Sequence, residues 1–201
     1  MNETDLRVVK TLESIDNSLL KNLHNSSFSK ITVDSICKCA KINRSTFYKY
    51  YMDKYDLLDK LIDKSLHEFT NNLNTEFINA SPSTVEDLNY DMQFKNLLAV
   101  FIKNKEIYTT LWTASIERNV YDEMTSLIKN AILENLYSNF NIDSSKKEYA
   151  SLFSNLLASN VMIVANWYLS NSNNISIDEV VKMMAKITSE GLFITLRKNI
   201  C

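Results

Sequence analysis

Only one glycine and one proline occur in 201 residues. Glycine supplies the left-handed positions of tight turns, and proline ends helices and presets turns. A chain nearly without either has little means of building hairpins and sheets. Its elements must be helices closed by Asn, Ser, Thr and Asp side chains. With 45% hydrophobic and 23% charged residues, such a chain can still bury a core. The sequence therefore predicts an all-α fold. An N-terminal three-helix unit, 1–52, is joined by a long helix to a C-terminal helical unit, 53–201.

Apolar spacing places the elements. Val8, Leu12, Ile15, Leu19 and Leu23 form one stripe and predict a helix over about 3–24. Thr32 is a natural N-cap for a second helix, with Ile31 and Ile36 as a hydrophobic staple and Val33, Ile36, Cys37 and Ala40 inward. Lys41-Ile42-Asn43 is a short turn before a third helix over about 44–51. Asp53 caps a fourth helix, with Met52 and Leu57 as its staple. That helix runs to about 79 with Leu58, Ile62, Leu66, Phe69 and Leu73 inward. NASPS at 79–83 holds the proline and breaks the pattern. Five more helices are expected near 84–103, 105–114, 116–140, 145–171 and 176–198. Ser83/Glu86, Ser145/Glu148 and Ser176/Glu179 read as capping boxes, and Ile175/Val180 as a further staple.

Several function classes are disfavoured. There is no glycine-rich phosphate loop. The three cysteines, Cys37, Cys39 and Cys201, lack the spacing of a disulfide framework or a metal site, and no metal or other cofactor is expected. The two histidines, His24 and His67, neighbour no nucleophile or ligand pattern, so no catalytic residues are expected and the chain does not read as an enzyme. The N-terminus lacks a signal-peptide apolar region, and VMIVA at 161–165 is too short to span a bilayer. A cytoplasmic protein with no membrane partner is expected.

The net charge is −2, but its distribution says more than its total. Residues 1–64 carry eleven Lys/Arg against nine Asp/Glu, which leaves eleven against fifteen for the rest. Within 38–54, Lys38, Lys41, Arg44, Lys49 and Lys54 face only Asp53. In the middle of this stretch lies STFYKYY. No helix can bury three consecutive side chains on one face, so some of Tyr48, Lys49 and Tyr50 must point outward. Two short helices joined by a three-residue turn, the second one basic and aromatic, make a helix-turn-helix candidate. Phe47 and Tyr51 face inward. Tyr48 and Tyr50 sit at the rims, where a ring can pack while its hydroxyl reaches a phosphate. Arg44, Ser45 and Lys49 occupy the outermost face, where base edges would lie. Thr32 and Lys54, each at the start of a helix, offer anion sites.

ITVDSICKCAKINRSTFYKYYMDKYDLL, residues 31–58, resembles the DNA-binding domain of the TetR family of bacterial transcription regulators. The resemblance rests on Thr32, Ile36, Ala40, Thr46-Phe47-Tyr48, Tyr50 and Asp53-Lys54 followed by Leu57-Leu58, and covers about 5–60. It implies a homodimer of nine- or ten-helix chains that binds a double-stranded DNA operator. It also implies a C-terminal domain whose small-molecule effector controls release. By this resemblance Thr32, Thr46, Tyr48, Tyr50 and Lys54 would meet phosphates, and Arg44, Ser45 and Lys49 would read bases. Lys41 departs from the pattern, standing where the family usually has glycine. So does Met52, where it often has a basic residue.

The rest of the chain is less diagnostic. Phe101, Tyr108, Trp112, Tyr121, Met124 and Tyr137 are candidate walls of an effector pocket. The helix near 145–171 is apolar on nearly all sides, which suits a subunit interface through Leu156, Ile163 and Trp167. Met184, Ile187, Gly191 and Ile194 continue that face on the last helix, with Gly191 read as a mid-helix close approach. The reading is of a homodimeric, effector-released repressor. The alternative is a helical protein–protein module, or a regulator controlled by a protein partner.

Overall fold

The computed structural model describes residues 3–76 and 88–191. Its described residues form nine α-helices and no strand: α1 (Glu3–Asn25), α2 (Val33–Ala40), α3 (Arg44–Tyr48), α4 (Lys54–Asn71), α5 (Leu88–Lys103), α6 (Lys105–Thr113), α7 (Val120–Asn139), α8 (Lys147–Asn171) and α9 (Ile177–Glu190). The chain divides into two compact units. Met1–Glu68 with Glu106–Val120 make the first, and Phe69–Lys105 with Tyr121–Cys201 the second. The NASPS break and the Ser83/Glu86 box lie outside the described residues.

In the first unit α1 packs on α2, and α2 on α3. Ile15, Leu19, Ile36, Phe47, Leu57 and Ile62 are completely buried, as their spacing predicts. Thr32 caps α2 through a reciprocal box with Ser35: each side chain accepts from the other residue's backbone N–H. Asp53 caps α4, accepting from the amides of Tyr55 and Asp56 at 2.8 Å each. Met52 does not act as a staple. It is 80% exposed, and its amide instead donates to Asp56 Oδ2 at 2.9 Å. Lys41 adopts φ 57°, ψ 43°, the left-handed conformation that costs a residue with a Cβ about 1 kcal/mol.

In the second unit α5 packs on α8 and α9, and α8 on α9. Phe94, Leu97, Phe101, Met124, Ile128, Ala158 and Met162 are fully buried or nearly so. Ser176 and Glu179 form the expected capping box. Ser145 and Glu148 do not. Asp143 caps a 3-10 turn over Ser144–Lys146, and α8 follows directly from that turn. α7 begins at Val120 rather than near 116, because the preceding loop is tied down within the first unit: Arg118 pairs with Asp63 at 2.7 Å and Asp59 at 3.8 Å. Gly191 is not a mid-helix residue. It ends α9 with φ 87°, a backbone conformation that favours glycine, and among the described residues a Cβ built there would meet nothing within 4 Å.

Helix α8 buries Ala150, Ser154, Ala158, Val161, Met162, Ala165 and Leu169. Its other face carries Tyr149, Leu152, Phe153, Leu156, Ile163 and Trp167, each 47–64% exposed. Among the described residues Ser144–Asn171 is the one helical stretch long and apolar enough to cross a membrane by length and composition. Its outward apolar residues are interrupted by exposed Asn155, Asn160 and Asn166.

Candidate nucleic-acid interface

Helix α3 is short, and its two faces differ sharply. Phe47 is fully buried and Tyr51, just beyond the helix, is 7% exposed; their rings lie 5.5 Å apart. Arg44, Ser45, Tyr48 and Lys49 are exposed, and Thr46 and Tyr50 are half-buried. Tyr48 rests edge-on against Phe47 yet keeps 55% of its surface in solvent. Lys49 holds its ammonium 5.5 Å from the centre of the Tyr50 ring. The outer face of α3 is therefore a ridge of guanidinium, ammonium, hydroxyl and phenol groups. Such groups hydrogen-bond phosphate oxygens and base edges.

Three polar arrangements fix this ridge. In the first, the carboxylate of buried Asp16 on α1 accepts from the Tyr51 hydroxyl at 3.3 Å and from Lys64 on α4 at 2.9 Å. Burial, reinforced by the Asp16 carboxylate, pushes the Tyr51 phenol well above its usual range, so it stays a donor. In the second, Lys60 donates to the carbonyl of Tyr50 at 3.2 Å and to Asp56 at 2.9 Å. That covers a carbonyl left open beyond α3. Hydrogen bonding to Lys60, and then to the Met52 amide, holds the Asp56 carboxyl below its usual value.

The third is Asp34 on α2, which pairs with Arg44. The hydrogen bond from Arg44 lowers the Asp34 carboxyl and raises the guanidinium, and both groups are solvent-exposed. The pair ties Arg44 on α3 to α2. A base edge or phosphate would have to compete with Asp34 for it.

Lys54, an expected phosphate contact, is engaged within the unit. Its ammonium turns inward and donates to three carbonyls: Phe28 at 2.9 Å, Ser29 at 3.2 Å and Ile31 at 2.8 Å. The rings of Phe28 and Tyr55 flank it, with centres 4.8 and 5.3 Å away. Phe28 and Tyr55 also line a cleft of about 370 Å³ with Leu58, Asp59, Ile116 and Arg118. Thr32, by contrast, is exposed at the start of α2, with its hydroxyl oxygen already accepting from Ser35. Asp34 and Arg44 lie ten residues apart and Asp16 and Lys64 forty-eight, so neither pair leaves a spacing signature, whereas Lys60 four residues after Asp56 on α4 does.

The six candidate pocket residues are divided between the two units. Tyr108 and Trp112, stacked with centres 5.9 Å apart, belong to the first unit. Phe101, Tyr121, Met124 and Tyr137 belong to the second. Phe101 and Met124 are completely buried, the Phe101 ring lying 5.3 Å from that of Phe69, whereas Tyr137 is 47% exposed. None of the six lines the 370 Å³ cleft. Of the expected interface residues, Leu156, Ile163 and Trp167 point outward from α8. Met184 is buried within the second unit, because α9 turns that side of its stripe inward, and Ile187 is half-buried. Gly191 ends the helix, and Ile194 lies outside the described residues. Among the described residues no group of His, Cys, Asp and Glu could hold a metal ion.

No family model matches the chain. It is 33% identical over 72 residues to an uncharacterized HTH-type transcriptional regulator, YxbF, of Bacillus subtilis (strain 168). That match spans 35% of this chain and 19% of the relative. Three solved structures resemble it over most of its length. A Clostridium perfringens protein provisionally described as a fatty acid metabolism regulator superposes with a TM-score of 0.62 at 17% identity, over 89% of this chain and 98% of the other. A TetR transcriptional regulator from Streptococcus agalactiae 2603V gives 0.58 at 20%, over 92% and 96%. The dihydroxyacetone kinase operon activator DhaS gives 0.56 at 16%, over 92% and 97%. Each is described as a regulator or an activator, and none of the four as an enzyme.

Proposed function

We propose that this chain, which has the all-helical fold of TetR-type transcription regulators, is a cytoplasmic, homodimeric DNA-binding regulator. The observation that carries the reading is the two-faced α3. Phe47 and Tyr51 anchor it, while Arg44, Ser45, Tyr48 and Lys49 stand outward on a helix-turn-helix. In this reading α3 enters the major groove. Arg44, Ser45 and Lys49 read bases, while Thr32, Thr46, Tyr48 and Tyr50 position the unit on phosphates.

Two copies pair through the exposed apolar face of α8. A two-fold axis then sets two recognition helices roughly 34–36 Å apart, one turn of duplex. The regulator acts as a repressor. A small-molecule effector held by the second unit favours a different separation of the two helices and releases DNA through its differential affinity for the two states.

Selection of bound sites from a random duplex library, at two salt concentrations, tests this. A palindrome with two half-sites is expected, and Arg44→Ala should change the preferred base at one position of each half-site. Salt-sensitive binding without a motif would remove Arg44 and Lys49 as base readers. No binding by a folded dimer would favour a helical module acting on protein partners.

A further inference from the structure

We propose that Lys54 is a positioning residue: its ammonium locks the α1–α2 connection onto α4, and it stays locked when DNA is bound. An ammonium has three N–H bonds and no acceptor. Here three carbonyls, those of Phe28, Ser29 and Ile31, lie at 2.8–3.2 Å and take all three. No proton is left for a phosphate oxygen.

The three carbonyls converge where the turn hands over to α2. Phe28–Lys30 is a single 3-10 turn whose Phe28 carbonyl accepts from the Ile31 amide at 3.1 Å and takes Lys54 as a second donor, while the Ser29 and Ile31 carbonyls lie past the turn's own hydrogen bonds. Converging carbonyl dipoles make a negative focus that a cation satisfies. The rings of Phe28 and Tyr55 complete the cage with their π faces.

The position of the cage gives it its role. The carbonyl of Ile31 immediately precedes Thr32, the cap of α2. Holding that carbonyl fixes where α2 begins, and α2 carries Asp34, the partner of Arg44. The connection from α1 to α2 contains neither glycine nor proline to shape it, so a side chain from α4 does so. Lys54 thus acts on the ridge through the α2 cap.

This inference rests on the DNA-binding reading, and its test separates the two. In the parent protein the Lys54 amine protons should exchange slowly enough to give a 15N-resolved NMR signal, with and without DNA. Fast exchange would overturn the proposal even if no DNA ligand were ever found.

Lys54→Ala should then lose on the order of tenfold in DNA affinity with an unchanged salt slope. A phosphate ligand would instead lower the slope by about one. Propylammonium, which replaces the deleted atoms, should restore affinity to Lys54→Ala, while the same concentration of sodium should not. Lys54→Arg keeps the charge, but a planar fork cannot serve a tripod of carbonyls. It should bind as weakly as Lys54→Ala; near-parent binding by Lys54→Arg would overturn the lock. Should Lys54→Ala not fold, Lys54→Arg and the amine signal carry the test.

Discussion

The two units use their polar groups in opposite ways. In the first, charges are turned inward or toward helix ends: Asp16 between Tyr51 and Lys64, Lys54 on three carbonyls, Lys60 on Asp56 and the Tyr50 carbonyl. In the second, apolar surface is turned outward along α8, and among the described residues the buried Ser154 hydroxyl has no hydrogen-bond partner. A surface that must hold polar groups against a polar polymer needs fixed geometry, which directional bonds supply. A surface that must hold a second protein needs area, which exposed Leu, Ile and Trp supply. Under the proposed reading, the first unit supplies rigidity and the second the area for a partner.

The largest expected effect breaks the second half of the contrast. Ile163→Glu puts a charge in the middle of the α8 stripe. Burying one such side chain is worth about 1.5–3 kcal/mol, and a two-fold interface loses it twice. Sedimentation equilibrium should show the variant as a monomer at concentrations where the parent is a dimer. A variant that sediments as the parent does would mean that α8 is not the adhesive face.

Next comes Phe47→Ala, which removes the ring on which α3 rests. A fully buried Phe costs about 3–5 kcal/mol on truncation to Ala. Denaturant unfolding should register that loss and DNA binding should vanish, with the dimer of the second unit retained. Loss of the dimer as well would show that the two roles are not separable.

A smaller effect sharpens the first half. Lys41→Gly relieves the left-handed backbone at the helix-turn-helix corner and should stabilise by about 1 kcal/mol in thermal unfolding. An unchanged or lower midpoint would mean that the Lys41 side chain compensates for its strain.

The smallest effect is a pH dependence. Hydrogen bonds from Lys60 and the Met52 amide hold the Asp56 carboxyl below its unfolded value of about 3.9. Its folded pKa is depressed, so its contribution is present in full above the unfolded value and is lost as pH falls through the folded value. Asp56→Asn should therefore melt below the parent at pH 7, and the gap should close below about pH 4. A gap independent of pH would point to volume or cap geometry instead of charge.

Much of this was legible in the sequence, because local signals carry it. The α1 stripe, the Thr32 and Asp53 caps, the Ser176/Glu179 box and the inward Phe47 and Tyr51 all follow from spacing within a few residues. What escaped was long-range. Lys54 meets carbonyls 23–26 residues away, and a carbonyl has no letter in a sequence. Met52 is apolar and spaced as a staple, yet its side chain stays in solvent. Gly191 shares a stripe with Met184 and Ile187, and spacing alone could not tell a mid-helix glycine from the one that ends the helix. The aromatic spacing that suggested a pocket could not say to which unit each ring belongs.

The outward apolar face of α8 has a consequence for gene dosage. If only the paired chain grips an operator, the active species forms by mass action from two inactive ones. Where total chain is scarce, its concentration then rises with the square of synthesis, and a twofold change in expression becomes about a fourfold change in binding-competent protein. Such a regulator would be sharply sensitive to copy number, and a second chain with a damaged α3 but an intact α8 would poison it in mixed pairs.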